Sequence, residues 1–69
     1  MEKLLLGKKI RGLRRDKGLM QYELAEKSFI TAVTLCRIEY GLHKPTPATL
    51  KCIADALGVT LDELAGMKG

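Results

Sequence analysis

The side chains best suited to chemistry lie between residues 31 and 44, and Arg37 is the strongest of them. A guanidinium can donate to both hydrogen-bond acceptors of guanine, which contributes roughly 1 to 3 kcal/mol of discrimination between bases. His43 and Lys44 follow in the sequence and carry donors of the kind that hold phosphate groups. These residue types suit non-covalent recognition of an anionic partner.

Covalent chemistry is not indicated by the few nucleophilic and metal-binding residues. Cys36, His43 and Cys52 are spaced by seven and nine residues, which matches no standard zinc pattern. A Cys36 nucleophile activated by His43 would need a pocket that a chain of 69 residues can hardly build. We therefore expect no enzyme activity, no metal and no cofactor. Both cysteines are expected to be free thiols, because the sequence shows no secretion signal.

Two short helices must position the candidate side chains. Leu24, Ala25 and Ser28 repeat at helical spacing, and Leu35 and Ile38 stand three residues apart in a second pattern. Helices below roughly 12 residues are marginal in water, so both must pack on the rest of the domain. Burial of the second pattern leaves five residues in and beside its helix facing outward. They are Ala32, Val33, Cys36, Arg37 and Tyr40.

Three further helices are predicted from apolar stripes and helix-start signals. The first helix has a stripe at helical spacing, formed by Leu6, Ile10 and Leu13. The fourth has a second stripe, formed by Leu50, Ile53, Ala54 and Leu57. Thr46 and Pro47 mark the start of that fourth helix. Thr60 and Glu63 have the capping-box spacing that opens a fifth.

Length and composition limit the chain to one small domain. A chain this short buries only about 60% of the surface that its unfolded form exposes. A hydrophobic content of 46% with only three aromatic residues fits aliphatic helix packing better than a sheet. We therefore predict a compact all-α fold with five helices, forming a single domain over residues 1–69 with its core at about 4–65.

Positive charge is concentrated at the amino end of the chain. The formal net charge is +4, and residues 1–17 carry seven Lys or Arg against two acidic residues, whereas residues 18–69 carry five against six. Such asymmetry favours an anionic partner, with nucleic acid ahead of a membrane surface, although a solvated basic face has the same composition. No apolar run approaches the roughly 18 residues of a spanning helix, so we expect a cytoplasmic protein without a membrane partner.

The segment QYELAEKSFITAVTLCRIEY resembles a known DNA-binding motif in its spacing. With Gln21 as the first position, small or apolar residues fall at the fifth, tenth, fifteenth and eighteenth positions: Ala25, Ile30, Leu35 and Ile38. This arrangement is similar to the helix-turn-helix of the phage repressor and Cro type, also called the XRE family. The flanking stretches IRGLRRDKGLM and TLKCIADALGVTLDEL also resemble that family, so the similarity covers about nine tenths of the chain.

The resemblance implies a lambda-repressor-like fold, with helices 2 and 3 as the helix-turn-helix. It implies sequence-specific binding of double-stranded DNA by a small transcriptional regulator, expected to be a repressor. Helix 3 would enter the major groove with five base-facing residues, namely Thr31, Ala32, Val33, Cys36 and Arg37. Four residues would contact phosphates, namely Gln21, Tyr40, His43 and Lys44. Arg14 and Glu39 would form a structural ion pair. Long-range attraction alone is expected from Lys8, Lys9, Arg11 and Arg15.

Two positions depart from the family pattern. Met20 stands where a capping Thr or Ser is usual, which removes a contribution of about 1 kcal/mol and leaves Gln21 and Glu23 to serve the exposed amides. Phe29 stands where the family usually has a glycine with positive φ, a conformation that costs a bulky residue about 1 to 2 kcal/mol. Phe29 is therefore expected either to reshape the turn or to offer an apolar contact to a partner.

The apolar character of the outward row leaves a second function open. Ala, Val and Cys replace the usual hydrogen-bonding residues there, so sequence specificity is expected to be modest. The same surface would suit a protein–protein adaptor or an antitoxin-like module on the same fold. Near the carboxyl end, three residues suit either a homodimer interface or packing onto helix 4, namely Leu61, Leu64 and Met67.

Overall fold

The computed structural model describes residues 2–65, and this part of the chain contains helices and no strands. In chain order the helices are α1 (Glu2–Asp16), α2 (Gln21–Lys27), α3 (Ala32–Glu39), α4 (Pro47–Leu57) and α5 (Leu61–Ala65). The prediction of an all-α fold with five helices is confirmed. The short connection 28–31 joins α2 to α3, and these two helices form the helix-turn-helix.

Threonine side chains set several helix starts, as the sequence predicts. At α3, the backbone N–H of Thr34 donates to Thr31 Oγ1 over 3.1 Å, and Thr46 caps α4 in the same way. At α5, the N–H of Thr60 donates to the Glu63 carboxylate over 2.8 Å, and the N–H of Glu63 donates to Thr60 Oγ1 over 3.0 Å. The Thr60 N–H stabilises the charged carboxylate and thereby lowers the pKa of Glu63 below its usual value.

Helix α2 starts without a side-chain cap, because Met20 has no suitable acceptor for the exposed amides. The Glu23 carboxylate accepts a hydrogen bond from the Met20 N–H over 2.7 Å, so half of a capping box remains. The Gln21 side chain, which was also expected to serve the exposed amides, donates instead to Glu39. Helix α2 therefore depends on tertiary contacts, including the burial of Leu24, more than on its own first turn.

The turn between α2 and α3 keeps the left-handed backbone conformation that glycine favours, although its residue is Phe29. The φ angle of Phe29 is 61°, and no other non-glycine residue in the described part of the chain has a positive φ. The ring is 86% exposed, so packing does not offset a strain of about 1 to 2 kcal/mol. The sequence left open that Phe29 reshapes the turn. This expectation is wrong, because Phe29 adopts the left-handed conformation that glycine usually has at this position.

A single aliphatic core lies beneath all five helices. Its large, fully buried side chains come from every helix: Ile10, Leu24, Leu35, Ile38, Ile53, Leu57 and Leu64. Leu64 therefore belongs to the interior of the monomer. Of the two alternatives predicted for this residue, a homodimer interface or packing within the domain, the structure shows packing. Leu61 remains 39% exposed. Met67 lies outside the described residues.

Helix α1 crosses the carboxyl end of α3 at very short range, and glycine makes this approach possible. A Cβ atom at Gly7 would overlap the backbone carbonyl oxygens of Ile38 and Glu39. A Cβ at Gly41 would lie 2.9 Å from the Cα of Leu4. Glycine within a helix costs up to about 1 kcal/mol relative to alanine, and the close crossing explains why Gly7 stands there. Helix α3 is thus held between α1 and the core.

Candidate nucleic-acid interface

Helix α3 and its N-cap place all five residues predicted to face bases on one accessible surface. Thr31, Ala32, Val33 and Arg37 are exposed, and Cys36 is half-buried. Val33 is 58% exposed and is the largest apolar side chain of the group. We call these five residues the α3 outer face. Their arrangement follows from the packing of the opposite face of α3 on the core.

Hydrogen-bonding capacity on the α3 outer face is concentrated in one side chain. The Thr31 hydroxyl is used within the protein, since it donates to Thr34 Oγ1 over 2.9 Å and accepts the Thr34 N–H. The two residues after Thr31 have no polar side-chain atoms, and Cys36 is a free thiol, which is a weak donor. Arg37 offers five N–H donors and has no acidic partner among residues 3–64. Arg37 is therefore the strong donor available to a ligand here.

A buried ion pair fixes the carboxyl end of α3. Arg14 Nε donates to Glu39 Oε2 over 2.7 Å, and Arg14 Nη2 donates to Glu39 Oε1 over 3.1 Å. Arg14 Nη1 donates to the Leu19 carbonyl oxygen over 2.8 Å. Gln21 Nε2 also donates to Glu39 Oε1, over 3.0 Å, so the fully buried carboxylate accepts three hydrogen bonds. The network joins α1, α2 and α3, and it therefore helps to fix the angle between the two helices of the helix-turn-helix.

The four residues predicted to contact phosphate lie on three segments near α3. Gln21 begins α2, Tyr40 caps the carboxyl end of α3, and the loop before α4 carries His43 and Lys44. All of them except Gln21, which is half-buried, are exposed. One N–H of the Gln21 carboxamide is bonded to Glu39, and the second has no hydrogen-bond acceptor among residues 3–64.

One pairing at this surface was not predicted from the sequence. The guanidinium carbon of Arg11 lies 5.3 Å from the centre of the Tyr40 ring, which is a cation–π distance. The two residues are far apart in the sequence and meet only because α1 crosses α3. The available signal was weak, since it consisted of a basic row on α1 and an aromatic residue in the outward row of α3.

The side chains of residues 3–64 do not form a metal-binding cluster. Within this part of the chain no three His, Cys, Asp or Glu side chains lie close enough together to hold a metal ion. None of the helices over the same range has the length and apolar character required to cross a membrane. The two cysteines, Cys36 and Cys52, are free thiols, as predicted.

Known proteins share both the sequence pattern and the fold. The family model described as helix-turn-helix matches residues 10–64 of the chain. This chain belongs to the XRE-type helix-turn-helix family. The match extends from the middle of α1 to α5, so it includes the buried ion pair and the α3 outer face of this helix-turn-helix protein.

Several relatives of this helix-turn-helix protein are named as regulators. The immunity repressor protein of Bacillus phage phi105 is 32% identical over 63 residues, which cover 91% of this chain and 44% of the repressor. The uncharacterised HTH-type transcriptional regulator YazB of Bacillus subtilis is 37% identical over 65 residues, which cover 94% of each chain. The crystal structure of the restriction-modification controller protein C.AhdI from Aeromonas hydrophila superposes with a TM-score of 0.88 at 28% identity and covers 91% of each chain. This chain thus spans less than half of the phage repressor but almost all of YazB.

Proposed function

We propose that this helix-turn-helix protein binds double-stranded DNA sequence-specifically and acts as a transcriptional regulator, with α3 inserted into the major groove. The observation that carries the proposal is the α3 outer face, an exposed and rigidly seated surface whose strong donor, Arg37, has no acidic partner among residues 3–64. A helix with its side chains is about 10–12 Å across and the major groove is about 12 Å wide, so the two fit. The relatives named as transcriptional regulators support the same function.

Base discrimination is proposed to come from two kinds of contact. Arg37 donates to O6 and N7 of a guanine, a contact that contributes roughly 1 to 3 kcal/mol of discrimination. At the amino end of α3, Thr31 presents its methyl group because its hydroxyl is bonded to Thr34. Together with Val33, this methyl group packs against the C5-methyl groups of thymines. We therefore expect the preferred site to contain a guanine close to thymines.

Phosphate contacts are proposed to set the position of the protein on the duplex. The residues that make them are Gln21, Tyr40, His43 and Lys44. Such contacts fix register and orientation but carry no base information directly. Because each one releases counterions from DNA, affinity is expected to fall steeply as salt increases.

We infer that the protein is a cytoplasmic repressor that binds as a homodimer, with residues 1–69 forming one domain. The name of the phage relative supports repression. Leu61 offers exposed apolar surface on α5 for a dimer contact in the carboxyl-terminal region, whereas Leu64 is excluded by its burial. A symmetric dimer would read two half-sites about 34–36 Å apart, one helical turn of DNA.

Selection of binding sites from a random DNA pool tests the proposed function. The selection is done at about 0.15 M salt, where nonspecific electrostatic attraction is reduced. Enrichment of a symmetric motif that contains guanine and thymine would support a dimeric regulator. If no sequence is enriched, the α3 outer face is better explained as a surface for a protein partner, as in an adaptor or antitoxin-like module.

A further inference from the structure

Two arginines of α1 lie against the carboxyl end of α3. The N–H donors of one are bonded within the protein, and those of the other are not. Arg14 uses all three side-chain nitrogens within the protein, two of them on Glu39 and one on the Leu19 carbonyl oxygen. Arg11 forms no ion pair with an acidic residue among residues 3–64, although it is half-buried. Its guanidinium lies over the ring of Tyr40. Arg14 is therefore structural, whereas the N–H groups of Arg11 are free to bind a ligand.

The cation–π contact with Tyr40 positions Arg11 without consuming its donors. The guanidinium carbon lies over the ring, and a contact of this kind uses no N–H group, so the five N–H donors of Arg11 remain for a ligand. Tyr40 is 55% exposed, so the pair lies at the protein surface beside the end of α3. The contact also restricts the Arg11 side chain before any ligand arrives, which reduces the entropy lost on binding.

We propose that Arg11 and Tyr40 together form a phosphate-binding subsite, in which the ring positions the guanidinium and Arg11 donates two parallel N–H bonds to one DNA phosphate. Arginine prefers this bidentate geometry with phosphate oxygens. The inference rests on the proposed function, since the phosphate belongs to a strand that borders the groove occupied by α3. The sequence predicted only long-range attraction from Arg11, whereas the proposed subsite gives Arg11 a direct contact with DNA.

Lys9 provides a matched control on the same helix. Residues two positions apart on an α-helix point about 200° away from each other, so Lys9 and Arg11 lie on nearly opposite sides of α1. Lys9 is exposed and its charge contributes to lowering the pKa of Glu63, whereas Arg11 lies against Tyr40. Substitution of either residue with glutamine removes one positive charge. A difference between the two variants therefore reports a direct contact and not total charge.

The test is the salt dependence of binding to a fluorescently labelled random-sequence DNA duplex. Loss of one phosphate contact makes the slope of log K against log salt shallower by about 0.9. We expect this change for Arg11→Gln, so that raising salt from about 50 to about 200 mM weakens this variant about 3.5-fold less than the wild type. For Lys9→Gln we expect a slope within about 0.3 of the wild type, because no contact is lost.

A Tyr40→Leu background tests the positioning role of the ring. In that background Arg11→Gln is expected to change the slope by clearly less than about 0.9, because Arg11 without the ring is not held at the phosphate. Melting temperatures measured for all variants check that each is folded.

Equal slope changes for Arg11→Gln and Lys9→Gln would overturn the subsite. The subsite would also be overturned if Arg11→Gln kept the same slope of log K against log salt as the wild type. If wild-type binding were still steeply salt-dependent, the proposed function would not be affected by that result. A wild-type protein that does not bind the duplex at all would overturn both.

Discussion

Replacing Arg14 with methionine should destabilise the domain severely. The Glu39 carboxylate is fully buried and accepts three hydrogen bonds, two of them from Arg14. Without Arg14 this buried charge keeps only the bond from Gln21, and removing one partner of a buried ion pair costs about 3–5 kcal/mol. A chain of this length has a total stability of about 3–10 kcal/mol, so the loss is about 30% of it or more. At about 4–8 °C per kcal/mol, the melting temperature should fall by at least about 12 °C.

A double-mutant cycle with Glu39→Met separates the cost of an unpaired charge from the value of the pair. Replacing both residues with methionine is expected to leave the stability within about 1 kcal/mol of the wild type, because no buried charge remains. Urea denaturation followed by circular dichroism measures all four proteins. Arg15→Met, at an exposed arginine of the same helix, is the control and should change stability by less than about 0.5 kcal/mol. A cost of less than about 1 kcal/mol for Arg14→Met would contradict the penalty for an unpaired buried charge. A double variant whose loss of stability equals the sum of the two single losses would contradict it as well.

Three further substitutions test the packing of α1, the strained turn and base contact. Gly7→Ala should cost about 1–3 kcal/mol, because the added methyl group overlaps carbonyl oxygens of α3; an unchanged melting temperature would argue against the close crossing. Phe29→Gly should stabilise the protein by up to about 1 kcal/mol, since glycine accepts the positive φ and the exposed ring contributes no packing; destabilisation in urea would contradict this. In the enriched DNA site, replacing a contacted thymine with uracil should weaken binding about fourfold, the effect of one buried methyl group of about 0.8 kcal/mol. Val33→Ser should reduce the difference in affinity between the thymine and uracil sites. If the ratio of the two affinities is unchanged in this variant, Val33 does not contact the base.

Local signals in the sequence are sufficient to predict the helices and most of their ends. Thr31 and Thr46 each cap a helix through the backbone N–H three residues later, an interaction that depends only on neighbouring residues. The exposed side of α3 is predictable for the same reason, because Leu35 and Ile38 define the buried side by their spacing. The fold and the placement of the α3 outer face could therefore be predicted from short-range patterns.

Two contacts between helices, unlike the Arg14–Glu39 ion pair, were not predicted. The bond from Gln21 to Glu39 and the cation–π contact of Arg11 with Tyr40 join distant parts of the chain, and no local pattern specifies either contact. The burial of Leu64 could not be predicted either. An apolar residue on a helix face has the same sequence spacing whether its own domain or a partner covers it. Only the position of α5 on the core identifies Leu64 as an interior residue.

Sequence-specific binding, as proposed, depends on Arg37 reading a base from the α3 outer face. The most direct test compares dissociation constants of the wild type and Arg37→Ala for the enriched site and for random DNA at about 0.15 M salt, with Lys44→Ala as the control. We predict that Arg37→Ala weakens binding to the enriched site by about 5- to 150-fold, which corresponds to 1–3 kcal/mol, and weakens random DNA far less. Lys44→Ala should weaken both to a similar extent, as expected for a phosphate contact. Equal losses on the two DNAs for Arg37→Ala would contradict the claim.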